Sequence, residues 1–187
     1  MKKILCFALL MSIMMLTLVS CKDKFDEMKT YPESEPDIIA GVKDEVFELK
    51  LYVDKNIFRE DELIKCHATL EYVGEEESIT IYHGNPLLGF GLKDNIYFEG
   101  GYSTFDELIS TTFFKGQPVY YEYVKSGGWS AEDPYVEFYK EFYSERDLRL
   151  PTGRYELSAI MNGSFDQDDM LGTWYNQAIS VIITVTD

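Results

Sequence analysis

The stretch Phe47-Glu48-Leu49-Lys50-Leu51-Tyr52-Val53 places an apolar or aromatic residue at every second position. Successive side chains of an extended chain point to opposite faces, so Phe47, Leu49, Leu51 and Val53 share one face and Glu48 and Lys50 the other. An amphipathic helix would repeat its apolar residues every three or four positions. The segment reads as a half-buried strand, and it sets the fold class of the chain.

The pattern extends in both directions along the sequence. Ile64, Cys66, Ala68, Leu70 and Tyr72 alternate, a turn follows at Gly74 to Glu77, and Ile79 and Ile81 resume the alternation toward His83, which together read as a hairpin. Near the end, Tyr155, Leu157, Ala159 and Met161 form one alternating run and Ile179, Val181, Ile183 and Val185 another. Residues 87–92, 96–98, 111–114 and 119–124 are bounded by Gly, Pro or Asn and rich in aromatics, which predicts shorter strands. Only Tyr135, Phe138, Tyr139, Phe142 and Tyr143 recur at helical spacing. Asp133 stands before them as an N-cap and Pro134 at the first helical position, predicting one short helix near 134–143. A sheet with one apolar face must bury it, and with no long helices to cover it the solution is a second sheet. The expected fold is all-β, an antiparallel sandwich of about seven to nine strands.

Residues 1–20 read differently. Lys2 and Lys3 precede an apolar run from Ile4 to Val19 that only Ser12 and Thr17 interrupt, the layout of a secretory signal peptide. A membrane span needs about 20 apolar residues, and this run stops at Ser20 and Cys21. The segment Leu18-Val19-Ser20-Cys21 resembles the lipobox of bacterial lipoproteins. That resemblance implies a diacylglyceryl group on the Cys21 thiol, cleavage before it, and acylation of the new amino terminus. Two or three acyl chains, at about 0.8 kcal/mol per buried methylene, hold a protein stably where one holds it marginally. Lys22 stands where inner-membrane retention in enteric bacteria uses aspartate. The expected location is the outer face of the cell membrane, with a Gram-negative envelope membrane as the alternative. From Cys21 to residue 44 the chain is mainly charged, with Pro32 and Pro36, and reads as a flexible tether spanning on the order of 25 Å. Residues 45–187 form the expected domain.

Charge narrows the partners. The chain carries 17 basic and 33 acidic residues, a formal charge of −16; the leader holds Lys2 and Lys3 and no acid, so the remainder carries 15 against 33, or −18. Such a field repels nucleic-acid phosphates and anionic lipid surfaces and favours cationic partners or ions. With Cys6 in the leader and Cys21 lipidated, Cys66 has no partner for a disulfide. Its place in an alternating strand reads as a small buried hydrophobe rather than a reactive thiol.

At Leu150-Pro151-Thr152-Gly153-Arg154-Tyr155 the chain resembles the turn entering the penultimate strand of immunoglobulin-like bacterial domains, including proteinase-inhibitor-like domains of bacilli. The resemblance implies an immunoglobulin-like sandwich in which the tyrosine locks the corner, and it speaks to fold rather than function. Leu150 to Gly153 is not a sortase signal: a residue is missing before the glycine and no hydrophobic tail follows.

The sequence holds no zinc-protease helix, phosphate loop, nucleophile elbow or dinucleotide fingerprint. His67 and His83 lie on different strands, and His67 and Cys66, being adjacent, point to opposite faces, so a two-histidine metal site and a cysteine hydrolase are both disfavoured. Asp166, Asp168 and Asp169 form an oxygen-rich loop and the best calcium candidate, though without the spacing, glycine and closing glutamate of an EF-hand. Trp129, Trp174 and Tyr175, with Tyr120, Tyr121 and Tyr123, supply either an exposed aromatic platform for sugar or protein, or core packing. No cofactor is expected. The leading expectation is a non-enzymatic, membrane-anchored binding module for an unknown protein or envelope glycan, with a surface proteinase inhibitor or a carbohydrate-binding or hydrolytic domain as alternatives.

Overall fold

A computed structural model of the chain describes residues 38–187. Cys21 and the signal peptide lie outside the described residues, as does most of the expected tether. Among the described residues the chain forms ten strands and one helix. In order these are β1 (Ile38–Lys43), β2 (Phe47–Val53), β3 (Ile57–Arg59), β4 (Cys66–Tyr72), β5 (Ser78–Asn85), β6 (Leu88–Lys93), β7 (Phe105–Phe114), β8 (Val119–Glu122), α1 (Val136–Ser144), β9 (Gly153–Ser164) and β10 (Trp174–Thr186). No helix among them is long and apolar enough to cross a membrane.

The strands make two sheets, one in the order β1-β2-β4-β8, the other β3-β10-β9-β5-β7 with β6 also paired to β9. The chain is thus an all-β sandwich. In β2 burial alternates as the sequence implies, with Phe47, Leu49, Leu51 and Val53 fully enclosed. Across the interlayer they meet Tyr155, Leu157, Ala159 and Met161 of β9 and Val181, Ile183 and Val185 of β10 in one continuous core. Phe47 sits at the junction: its ring meets Phe113 of β7 at 5.2 Å and Tyr175 of β10 at 5.7 Å, and its carbonyl accepts a bond from Gln177 Nε2 (3.2 Å).

Among the strands, four features depart from the sequence reading. β1 occupies the last residues assigned to the tether, paired along β2 from Ile38↔Val53 to Lys43↔Glu48, so the domain begins before residue 45. Ile38 to Val42 is apolar, but the charged, proline-containing stretch before it was read as running on to residue 44. β3, three residues long, runs parallel to β10 (Val185↔Phe58), so the sandwich is not wholly antiparallel. The buried Phe58 ring anchors it. β4 and β5 are not a hairpin, since β4 pairs with β2 and β8 and β5 with β7 and β9. The turn at 74–77 carries the chain from one sheet to the other, because each strand has an inner face that one sheet alone could not cover. Residues 96–98 are no strand, for the Oδ1 of Asp94 accepts from the amides of Ile96, Tyr97 and Phe98 (3.1, 2.7 and 2.7 Å) and holds them in a turn.

The helix starts at Val136 with Tyr135 as its N-cap residue, not at Pro134. Asp133 does not cap it, because its Oδ2 is taken by the Ser130 amide (2.5 Å) in a preceding turn. At the entry to β9 the buried Tyr155 donates its hydroxyl to the Pro151 carbonyl (2.9 Å).

Candidate functional site

Beside β6 the structure opens a cleft of about 820 Å³. Residues 94–103 form one wall; Tyr123, Ser126 to Gly128, Asp133 to Tyr135 and the α1 residues Tyr139, Phe142 and Tyr143 form the other. After the Asp94 turn, Glu99 bridges back to Lys93 and the chain folds over β6. Only glycine permits this approach: a Cβ on Gly91 would lie 2.7–2.8 Å from the Gly101 backbone. The Tyr102 ring lies on Gly89, its hydroxyl donating to the Leu87 carbonyl (3.0 Å) and accepting from Asn162 Nδ2 (3.2 Å). The two walls are tied by Ser103 N donating to Ser126 Oγ (2.7 Å).

Aromatic stacking sets the far wall. Tyr97 stacks on Phe138 at 4.1 Å and meets the exposed Tyr135 edge-on at 5.1 Å; Phe98 reaches Phe142 at 5.0 Å. Tyr139 donates to the Tyr97 carbonyl (2.5 Å). Lys125 donates to the Phe142 carbonyl (2.5 Å) with its ammonium 4.0 Å from that ring, holding the last turn of α1. Burial lowers its pKa, against Glu145 and Asp147.

Electrostatically the cleft is negative. Asp94, Glu99 and Asp133 line it beside Lys93 alone, and among the described residues no basic side chain pairs with any of the three. Burial, followed by the charges of Asp133, Asp94 and Glu99, pushes the Tyr139 hydroxyl above its ordinary value. Burial does the same to Tyr123, whose hydroxyl has no hydrogen-bond partner among the described residues.

The residues singled out from sequence distribute unevenly. Trp129 is exposed and follows Gly128, which lines the cleft, with the Lys140 ammonium 5.3 Å from the Trp129 ring. Trp174 is exposed too, but it pairs with Ser164, whereas Leu92 at the cleft pairs with Leu157. Those seven residues of strand separate them by roughly 23 Å. Tyr175 faces inward on Phe47 and Phe165 and donates to Asp44 Oδ2 (2.6 Å), so the three do not form one platform. Asp166, Asp168 and Asp169 do not converge: Asp166 Oδ1 accepts from the Asp168 amide and Asp169 Oδ1 from the Gly172 amide. No group of three His, Cys, Asp or Glu side chains able to hold a metal occurs among the described residues.

His83 is buried between the Gly84 carbonyl (2.6 Å from Nδ1) and Thr111 Oγ1 (2.8 Å from Nε2). His67 lies on the outer face of the first sheet yet is covered, stacked on Tyr52 at 4.5 Å and against Tyr120 at 4.8 Å. Cys66 is buried, and burial pushes its thiol far above the usual range. The cleft itself was missed in the sequence; its one local signal was the density of Gly, Tyr and Phe over 89–102 and 123–143.

No protein-family model and no curated protein matches the sequence. Among solved structures, the crystal structure of Spo0M, a sporulation control protein from Bacillus subtilis, is similar over 76% of this chain and 50% of its own, at 11% identity and a TM-score of 0.37. The chain spans half the length of that protein.

Proposed function

We propose that the chain is a non-enzymatic binding module of the bacterial cell envelope, anchored through lipidated Cys21 to the outer face of a membrane and presenting the cleft beside β6 to its ligand. The observation that carries the binding reading is the cleft, whose 820 Å³ lies within the range of pockets that enclose small ligands, roughly 300–1,000 Å³. It joins aromatic rings to three carboxylates that no basic side chain pairs among the described residues. Its carboxylates act as recognition groups: Asp94 and Asp133 each commit one oxygen to turn amides and leave the other to a ligand. The buried thiol of Cys66 supplies no nucleophile.

Two measurements test the reading. Intact-mass analysis of membranes from cells expressing wild type is expected to give a chain starting at Cys21 with added diacylglyceryl mass, absent for Cys21→Ala; an unlipidated, secreted wild type refutes the anchor. Sedimentation with isolated cell-wall and envelope fractions is expected to retain wild type and release Tyr135→Ala. Equal retention of both removes the cleft from the interaction.

A further inference from the structure

The cleft does not end at its own wall. Lys93, Glu99, Gly100 and Gly101 also border a second hollow of about 340 Å³, which runs over the outer faces of β9 and β10 at Ser158, Ala178 and Ser180. The two share these four residues and so lie side by side; together they offer a groove-like path that starts among aromatic rings and leaves over Ser158, Ile160, Ala178, Ile179 and Ser180. We infer that this groove is an extended site for a linear, non-acidic glycan, either neutral or built from amino sugars, with one end in the aromatic cleft and the following units along β9. The inference rests on the binding-module reading and names its ligand class.

Three observations favour a glycan. A sugar ring has an apolar face and a polar rim, and the cleft offers both complements: Tyr97 and Tyr135 present rings, while Asp94, Glu99 and Asp133 present carboxylate oxygens that accept from hydroxyls. Within the floor, β9 disfavours an extended peptide, since both its edges are filled, by β10 on one side and by β6 on the other, while the far edge of β10 carries β3 at Thr184–Thr186. A glycan binds through side-chain hydroxyls and carboxylates, and Ser158, Ser180 and Glu156 provide these along the groove. The sign of the charge selects among glycans: four carboxylates, with Glu156, face a single lysine, so chains bearing uronic acids or phosphate are repelled.

The test uses the full lipoprotein in detergent, titrated with the di- and hexasaccharides of N-acetylglucosamine, the corresponding β-glucose oligomers and an oligogalacturonate, with Trp129 fluorescence and calorimetry as readouts. At least one non-acidic series is expected to bind, its hexasaccharide about tenfold tighter than its disaccharide, and the acidic oligomer not at all. Tyr135→Ala is expected to weaken both lengths. Ser180→Arg, and independently Ala178→Arg, at exposed floor positions, should bring the hexasaccharide to the affinity of the disaccharide and leave the disaccharide unchanged. A hexasaccharide that binds no better than the disaccharide, or that is indifferent to both floor variants, overturns the extended site. Preference for the acidic oligomer overturns the ligand class. Retention on envelope fractions through the cleft, with no glycan bound, overturns the glycan inference while leaving the binding module standing; loss of that retention removes the binding module as well.

Discussion

His67 shows how a single outward position acquires a structural role. It is paired with Tyr52 across β2 and β4, and the stack with Tyr52 and Tyr120 removes it from water. Burial lowers its imidazole below the ordinary value of 6.5, against the opposing charge of Asp54, so the folded chain favours the neutral ring. Below pH 6.5 the unfolded chain therefore binds more protons, and this contribution, present above that pH, is lost as pH falls through the folded value. Urea midpoints are expected to drop between pH 7.5 and 5.5, and less steeply in His67→Phe, which keeps the stack; identical slopes would remove His67 as a cause. Asp44 is shifted the same way, but there the fold favours the ionised form, and its contribution too is lost as pH falls. Partial burial raises its carboxyl, but the Tyr175 hydroxyl and the amides of Phe47 and Val46 outweigh this and hold it below its ordinary value. Asp44→Ala is expected to cost about 2 kcal/mol in urea unfolding at pH 7. Tyr155→Phe, which deletes only the bond to Pro151, should cost about 1 kcal/mol. The tyrosine was legible in the sequence as a corner residue; the Asp44–Tyr175 bond, joining positions 131 residues apart, was not.

At the scale of elements, period-two patterning identified β2, β4, β9 and β10, because alternation is a local property of an extended chain. It was silent about partners. β4 and β5 each show an inner face, but which sheet each joins depends on strands far along the chain, β8 for one and β7 for the other. The same limit hid the fold of residues 99–102 over β6. Gly91→Ala is expected to displace it, lowering stability by about 1–3 kcal/mol and weakening ligand binding in the cleft, with hydrogen exchange at 99–102 as the readout. Unchanged exchange there would mean that residues 99–102 yield without loss. β7 closes the second sheet with Phe105, Leu108 and Phe114 exposed. Asp106 and Glu107 lie on that strand, and like charges of this kind discourage pairing between two copies.

For the whole molecule, acidity is the dominant global property. Self-repulsion at −16 is screened within about 10 Å at 0.1 M salt. The thermal midpoint is therefore expected to rise between 10 and 150 mM NaCl, as an order-of-magnitude range for screening to take hold. A flat response would show that the charges already sit too far apart to matter. The sequence by itself determined the all-β class, the inward face of the main strands, the burial of Cys66 and the sign of the charge, all of which follow from spacing two residues apart or from composition. The tertiary structure alone decided the sheet order, the parallel β3–β10 pair and the cleft. A buried face states that a strand needs a partner without saying which one. The cleft walls come from segments some 30 residues apart that meet only because β6 lies along β9 and α1 packs its rings against Tyr97 and Phe98.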